Sequence, residues 1–326
     1  MARGRRRHAS GERPLQLSGR SVTIEAGLIV SRFVHYASLM LLFGASLFPL
    51  YAFPDITTLA MAEPLIDKTG RLLRVSVTLA LVSLVGWFLF TVASMANDAQ
   101  AMFDPAILRS VFQSMEFGKL WAVRFAVLVA LTLFLCRRPA SQRAWLCPGL
   151  AALALASLAR TGHAETPTGP HSLWHTTADA VHLLAAGAWL GALWPIGYLS
   201  GEKSPALTPL AIGKVLTRFS WIGEAAVAAL LLTGVVNSWF LVGSLSRLFG
   251  TTYGLMLLFK LGLLGLMLGL AAGNRLWITP RLANGAPIGN PALWLRRLRR
   301  HVVAEQFLGA GIIGVVSILG LLDPSA

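Results

Sequence analysis

The chain has 326 residues, 55% of them hydrophobic and only 13% charged. Soluble domains carry about 25% charged residues, and several apolar runs here exceed the roughly 18 residues that cross a bilayer. A soluble domain is therefore excluded, and the net charge of +14 reads as loop charge that sets membrane topology, not as a nucleic-acid surface.

The first 22 residues form a basic, polar tail that reads as disordered. The apolar segment after it contains Arg32 and His35 and has no clean cleavage site, so it reads as a first membrane helix. Apolar helices are predicted at about 24–50, 72–96, 117–136, 144–160, 174–199, 219–242, 253–274 and 301–322. Proline and glycine mark the breaks between them. The expected fold class is all-α, a polytopic membrane protein with eight transmembrane helices. Residues 23–160 form a first four-helix half and residues 161–326 a second. Cys136 and Cys147 make no disulfide framework and read as buried free thiols.

Lys and Arg set the orientation. One set of connections holds Lys68, Arg71, Arg74, Arg137, Arg138, Lys203, Lys214, Arg218, Arg275, Arg281 and the cluster Arg296 to Arg300. The opposite set holds little beyond Arg109, Lys119, Arg160 and Arg247. The first set is expected in the cytoplasm, which turns both termini outward. The basic tail argues the other way, and the summed loops outweigh it.

The two halves resemble each other. His35 precedes Gly44 by nine residues, and His182 precedes Gly191 by nine. Arg74-Val-Ser76 opens the second helix and Arg218-Phe-Ser220 the sixth. Gly118 and Arg124 in the third helix match Gly254 and Lys260 in the seventh. A repeat of four helices has even parity, so it is a parallel 4+4 repeat about an axis along the membrane normal. That symmetry predicts His35 and His182 at equivalent depth on facing helices.

The main functional clue is a polar stripe on one apolar helix. His171, His175, Asp179 and His182 share an arc of about 80° and descend about 16 Å. Ionisable groups at such depth are costly and are usually kept for a task, and imidazole suits soft and borderline metals. His171 and His175 form an i, i+4 pair able to hold one ion. Asp179 is placed to orient an imidazole through its second nitrogen. His163, in a loop near the same end, is a candidate capture ligand, and Met40, five residues after His35, offers a thioether. Arg124, Lys260, Glu224 and Glu305 read as partners in interhelical ion pairs, with Arg124 and Lys260 also able to face a shared cavity. No nucleotide-binding loop, HExxH or nucleophile elbow is present, so the chain is not read as an enzyme.

The segments RFVHYASLMLLFGASLF, FGKLWAVRF, TGHA, HTTADAVHLLAAGAWLGALWP, RFSWIGEAAVAALLLTGVVNSW and TTYGLMLLFKLGLLGLMLGLAAGNRLWITPRL, with the late Arg-rich stretch and Glu305, resemble the copper resistance protein D family. The likeness runs from the first helix to the eighth and is densest after residue 160. It implies a bacterial inner-membrane protein of copper homeostasis that moves copper, as Cu(I) or Cu(II), from periplasm to cytoplasm. It also implies a separate periplasmic copper-binding partner of the CopC type, and it matches family histidines to His35 and His182. On this reading the metal residues are His35, His163, His171, His175, His182 and Met40, supported by Asp179, Arg124 and Lys260. Two alternatives stay open: a haem-binding electron carrier, with His35 and His182 as axial ligands, and a membrane dock for a copper chaperone without transport.

Overall fold

The computed structural model describes residues 19–54, 62–114, 116–137, 145–160, 170–201, 207–242, 244–284 and 290–322. The described residues form an all-α bundle. In chain order the helices are α1 (Gly19–Ala52), α2 (Glu63–Ala96), α3 (Pro105–Ser114), α4 (Glu116–Arg137), α5 (Leu146–Ala156), α6 (Pro170–Leu199), α7 (Pro209–Val242), α8 (Leu245–Gly250), α9 (Thr252–Gly273), α10 (Thr279–Ala283) and α11 (Pro291–Leu319). A 3-10 turn, Ser157–Arg160, extends α5, and a π turn, Asn274–Ile278, joins α9 to α10. The basic tail lies outside the described residues up to residue 18.

The helix starts follow local chemistry. Thr251 Oγ1 accepts from the Gly254 N–H ahead of α9, and Asn290 Oδ1 accepts from the Ala292 N–H ahead of α11, with Pro291 in the first turn. Asn97 ends α2 in the left-handed conformation at φ 50°. Helices α2, α7 and α11 begin about ten residues before the apolar runs, and α9 continues through α10 past its own. Hydropathy reports only the part in lipid, and the charged extensions, still good helix formers, project beyond it. Large apolar side chains on the bundle's outside, such as Leu232, Val235 and Phe307, are more than 70% exposed. Such a surface suits hydrocarbon, not water.

Among the described residues, seven helices are long and apolar enough to cross a membrane: α1, α2, α4, α6, α7, α9 with α10, and α11. The predicted fourth helix is the short Leu146–Arg160 segment, about 24 Å long by its helical rises. Its place in the bundle shows what it does. Nη1 of Arg32, in the first half of α1, donates to the Gly320 carbonyl at the end of α11 at 2.7 Å. Nη1 of Arg218, early in α7, donates to the Ala52 carbonyl that ends α1 at 2.7 Å. Seven crossings would send the end of α11 to the face opposite the start of α1. The two meet, so α5 supplies the eighth crossing. It can be short because Cys147, Ala151, Ala154, Leu155 and Leu158 are buried in protein.

Two large core clusters and a small third one, around Val242, Tyr253, Leu257, Val315 and Leu319, result among the described residues. Leu39, Leu42, Val77, Leu84, Leu128, Leu131 and Leu155 join α1, α2, α4 and α5. Leu193, Ile196, Val215, Leu216, Met267 and Val302 join α6, α7, α9 and α11, with Phe48 and Ala52 of α1. Helices α1 and α6 cross where Gly44 meets Gly187 and Gly191, and a Cβ on Gly44 or Gly191 would strike the other helix's backbone. Glycines four apart permit this close approach. Basic residues gather at one end of the bundle: Lys68 lies over the Tyr198 ring, and Arg281 and Arg297 lie over Trp294.

Candidate metal-handling site

The polar stripe of α6 faces α7 and α9. His175 meets the Phe240 ring edge-on at 5.2 Å between centroids. One turn deeper, Asp179 Oδ1 accepts from Nδ2 of Asn237 at 3.2 Å. Asp179 also interacts electrostatically with His175 and with Lys260 of α9. His182 follows, with Nδ1 at 2.9 Å from Oγ1 of Thr233 on α7, and Lys260 acts on it too. The stripe is half-buried, so it is reachable from the bundle's edge. His163 lies outside the described residues. His171 sits in the first turn of α6, and nothing is described of its side chain.

The hydrogen bonds assign the tautomer of His182. Thr233 Oγ1 donates its own proton to the Ala229 carbonyl at 2.5 Å, so toward His182 it can only accept. The proton is then on Nδ1, and Nε2 carries a lone pair. This is the form in which histidine ligates metals, with the far nitrogen held by a neighbour.

His35 shows the same arrangement in the first half. Its Nδ1 lies 3.0 Å from the Ala80 carbonyl and 3.1 Å from Ser83 Oγ, both on α2. Ser83 itself donates to Ala80 at 3.1 Å. The Ala80 carbonyl can only accept, so Nδ1 is again the donor and Nε2 again holds the lone pair. That Nε2 is fully buried and without a hydrogen-bond partner. The Trp87 ring lies edge-on to the imidazole at 5.8 Å, and Arg124 of α4 acts on it electrostatically. In each half, then, a histidine of the first helix bonds a hydroxyl of the second and feels a cation of the third. The matching separations are 48 residues for His35 and Ser83 and 51 for His182 and Thr233.

The expected convergence of His35 and His182 is corrected by this geometry. Each imidazole turns to the second helix of its own half. The α1–α6 contact is made by Gly44 with Gly187 and Gly191, and nine residues of helix place each histidine about 180° from its glycine. Each histidine is thus held by a hydroxyl of its own neighbouring helix. Met40 is buried at the crossing, where its carbonyl faces Gly191, and it belongs to the first core cluster. Among the described residues, no three His, Cys, Asp or Glu side chains come together as a ready metal cluster. Cys136 is exposed and Cys147 buried.

The interhelical ion pairs are partly as expected. Glu224 pairs with Arg275. Arg124, fully buried, instead donates to Ser157 through Nε to Oγ at 2.8 Å and through Nη2 to the carbonyl at 2.9 Å. Glu305 accepts from Asn274, not from a cation. Sequence reasoning named Glu305 but missed the partners that make it a second polar group, His301 and Asn274. The spacing of His301 and Glu305, four residues on one helix, was the available signal, and it repeats that of His175 and Asp179.

Two family models match the sequence: a copper resistance protein D-like N-terminal domain over residues 23–173, and copper resistance protein D over residues 213–319. Copper resistance protein D of Pseudomonas syringae pv. tomato is 34% identical over 309 residues, covering 91% of this chain and 96% of that protein. Inner membrane protein YebZ of Escherichia coli is 30% identical, covering 91% of this chain and 98% of its own length. Copper transport protein CutJ of Bacillus subtilis is 27% identical over 76% of this chain and 46% of its own length. No solved structure matches.

Proposed function

This chain belongs to the copper resistance protein D family, and from that premise we propose that it is a multi-pass copper permease of the bacterial inner membrane. Copper is the substrate. His163, His171 and His175 capture it on the outer side, delivered by a periplasmic protein of the CopC type. Asp179 attracts the cation and His182 takes it deeper. His35 is the corresponding ligand of the first half, with Met40 beside the crossing between halves. Copper leaves at the basic end, which the excess of Lys and Arg assigns to the cytoplasm, with both termini periplasmic. Arg124 and Lys260 act electrostatically on the two imidazoles.

The observation that carries this reading is the pair of pre-oriented imidazoles, His35 fully buried and His182 half-buried. Each has its Nδ1 proton engaged and its Nε2 lone pair available in a low-dielectric setting. A cation-binding nitrogen held this way favours a metal over a packing role. The parallel repeat gives the movement, one four-helix half rocking against the other about the Gly44–Gly191 crossing.

The test is copper uptake into sealed vesicles that contain only this protein. His182→Ala is expected to lower uptake while membrane insertion stays normal. Unchanged uptake by the inserted variant rejects the assignment. Binding of the periplasmic partner with no uptake even by the unaltered protein identifies a dock instead.

A further inference from the structure

At the basic end, Glu305 of α11 is 1% exposed. Its Oε1 accepts from Nδ2 of Asn274 at 2.6 Å, and the Trp189 ring N–H of α6 also bonds it. Among the described residues no cation is paired with it. A lone carboxylate charge among apolar helices is costly unless a cation or a proton joins it. Asn274 opens the π turn Asn274–Ile278, an interruption of the helical ladder often found at functional positions. The same amide reaches further: its Oδ1 lies 2.9 Å from Nδ1 of His301. His301 stands one turn before Glu305 on α11, and it lines a cavity of about 390 Å³ with Trp277, Trp294, Arg297 and Arg300. A continuous hydrogen-bonded chain thus runs from the cavity, through His301 and Asn274, to a carboxylate inside the bundle.

We propose that His301, Asn274 and Glu305 form a proton relay, and that the proton is the ion coupled to copper movement. In the deprotonated state His301 donates from Nδ1 to Asn274 Oδ1, and Asn274 Nδ2 donates to the Glu305 carboxylate. This leaves a lone pair on Nε2 of His301. A hydronium proton from the cavity forms an N–H bond at Nε2 and leaves water behind; the Nδ1–H bond breaks as its proton passes to Asn274 Oδ1, and an Nδ2–H bond breaks as its proton passes to Glu305, so Asn274 becomes an imidic acid. Through a water the Oδ1 proton returns to Nδ2 and restores the amide. Rotation of the Asn274 amide then lets Glu305 donate to Oδ1 while Nδ2 donates to Nδ1 of His301. One proton is gained, and both hydrogen bonds survive in either state. A rotated amide offers the same two positions with nitrogen and oxygen exchanged, so Asn274 can serve both states.

The other charges near this chain are accounted for. Arg275, next to Asn274 on α9, is paired with Glu224 of α7. Arg281 of α10 donates to the Trp277 carbonyl at 2.6 Å. Arg297 and Arg300 of α11 line the cavity itself, α6 presents Trp189, and Arg32 of α1 binds at the far end, at Gly320.

The inference rests on the copper reading for its coupling and not for its chemistry, so two measurements separate them. The full chain in sealed lipid vesicles is first titrated without copper, by infrared difference spectroscopy between acid and base. A protonated-carboxyl stretch is expected, lost in Glu305→Gln and displaced in Asn274→Ala. The vesicles are then given a copper gradient with an entrapped pH dye. Copper-driven proton movement is expected for the unaltered chain and lost in both variants, with copper still bound. A carboxyl stretch unchanged in both variants, or copper movement without protons, overturns the relay. Loss of the band in a chain that moves no copper keeps the relay and removes the permease. Should Glu305→Gln fail to insert, Asn274→Ala carries the same two readouts.

Discussion

Thr233 meets His182 with its hydroxyl proton already donated to Ala229, at 2.5 Å, and so holds Nδ1 of the imidazole as an acceptor at 2.9 Å. The hydroxyl touches no metal, yet it decides which nitrogen is free. Thr233→Val keeps the shape and removes the acceptor. Copper affinity is expected to fall by about 10- to 100-fold, the usual effect of losing such an orienting partner, while Thr233→Ser stays close to the unaltered protein. Copper retained by purified protein under a graded competitor reads the difference.

The α1–α6 crossing allows no side chain. A Cβ on Gly191 would collide with the Met40 carbonyl and with Gly44. Gly191→Ala is expected to destabilise the bundle by about 1–3 kcal/mol, as overpacked cores do. Gly223→Ala has open space around its Cβ and is expected to change little. Thermal aggregation of the detergent-solubilised protein compares the two.

Topology offers a third check. Arg32 and Gly320 meet, so reporters fused ahead of residue 19 and after residue 322 are expected on one side of the membrane. A reporter inserted next to Lys203 is expected on the other. Periplasmic alkaline phosphatase should be active at both ends and silent at the insertion. Opposite results at the two ends would mean that α5 does not cross.

Acid should release copper. A metal and a proton compete for one imidazole lone pair, so apparent copper affinity is expected to fall as pH drops. His182→Ala is expected to flatten that dependence. Copper retention measured across a pH series tests both.

Much of the architecture is legible from local patterning. Apolar runs mark every helix that lies in lipid, because hydrocarbon admits no unsatisfied backbone. The runs understate α2, α7 and α11, whose charge-bearing N-terminal extensions leave the bilayer but stay helical. The amphipathic α3 and the single-turn α8 were invisible because neither spans. In the site, His182 and Asp179 stood out by their setting on an apolar helix. Thr233, Ser83 and Asn274 did not, because a hydroxyl or an amide in a membrane helix carries no signal until its partner is known. Glu305 was seen but paired with the wrong kind of group, since a lone acid suggests a cation before it suggests an amide.

The spacing of nine residues from histidine to glycine, found twice, is a property of the sequence alone. By helix geometry it points the two residues to opposite sides wherever the helix lies. Which side becomes the crossing was decided in three dimensions. Glycines let two backbones approach where imidazoles cannot, so α1 and α6 met through Gly44 and Gly191, and His35 and His182 were turned outward to the hydroxyls of α2 and α7.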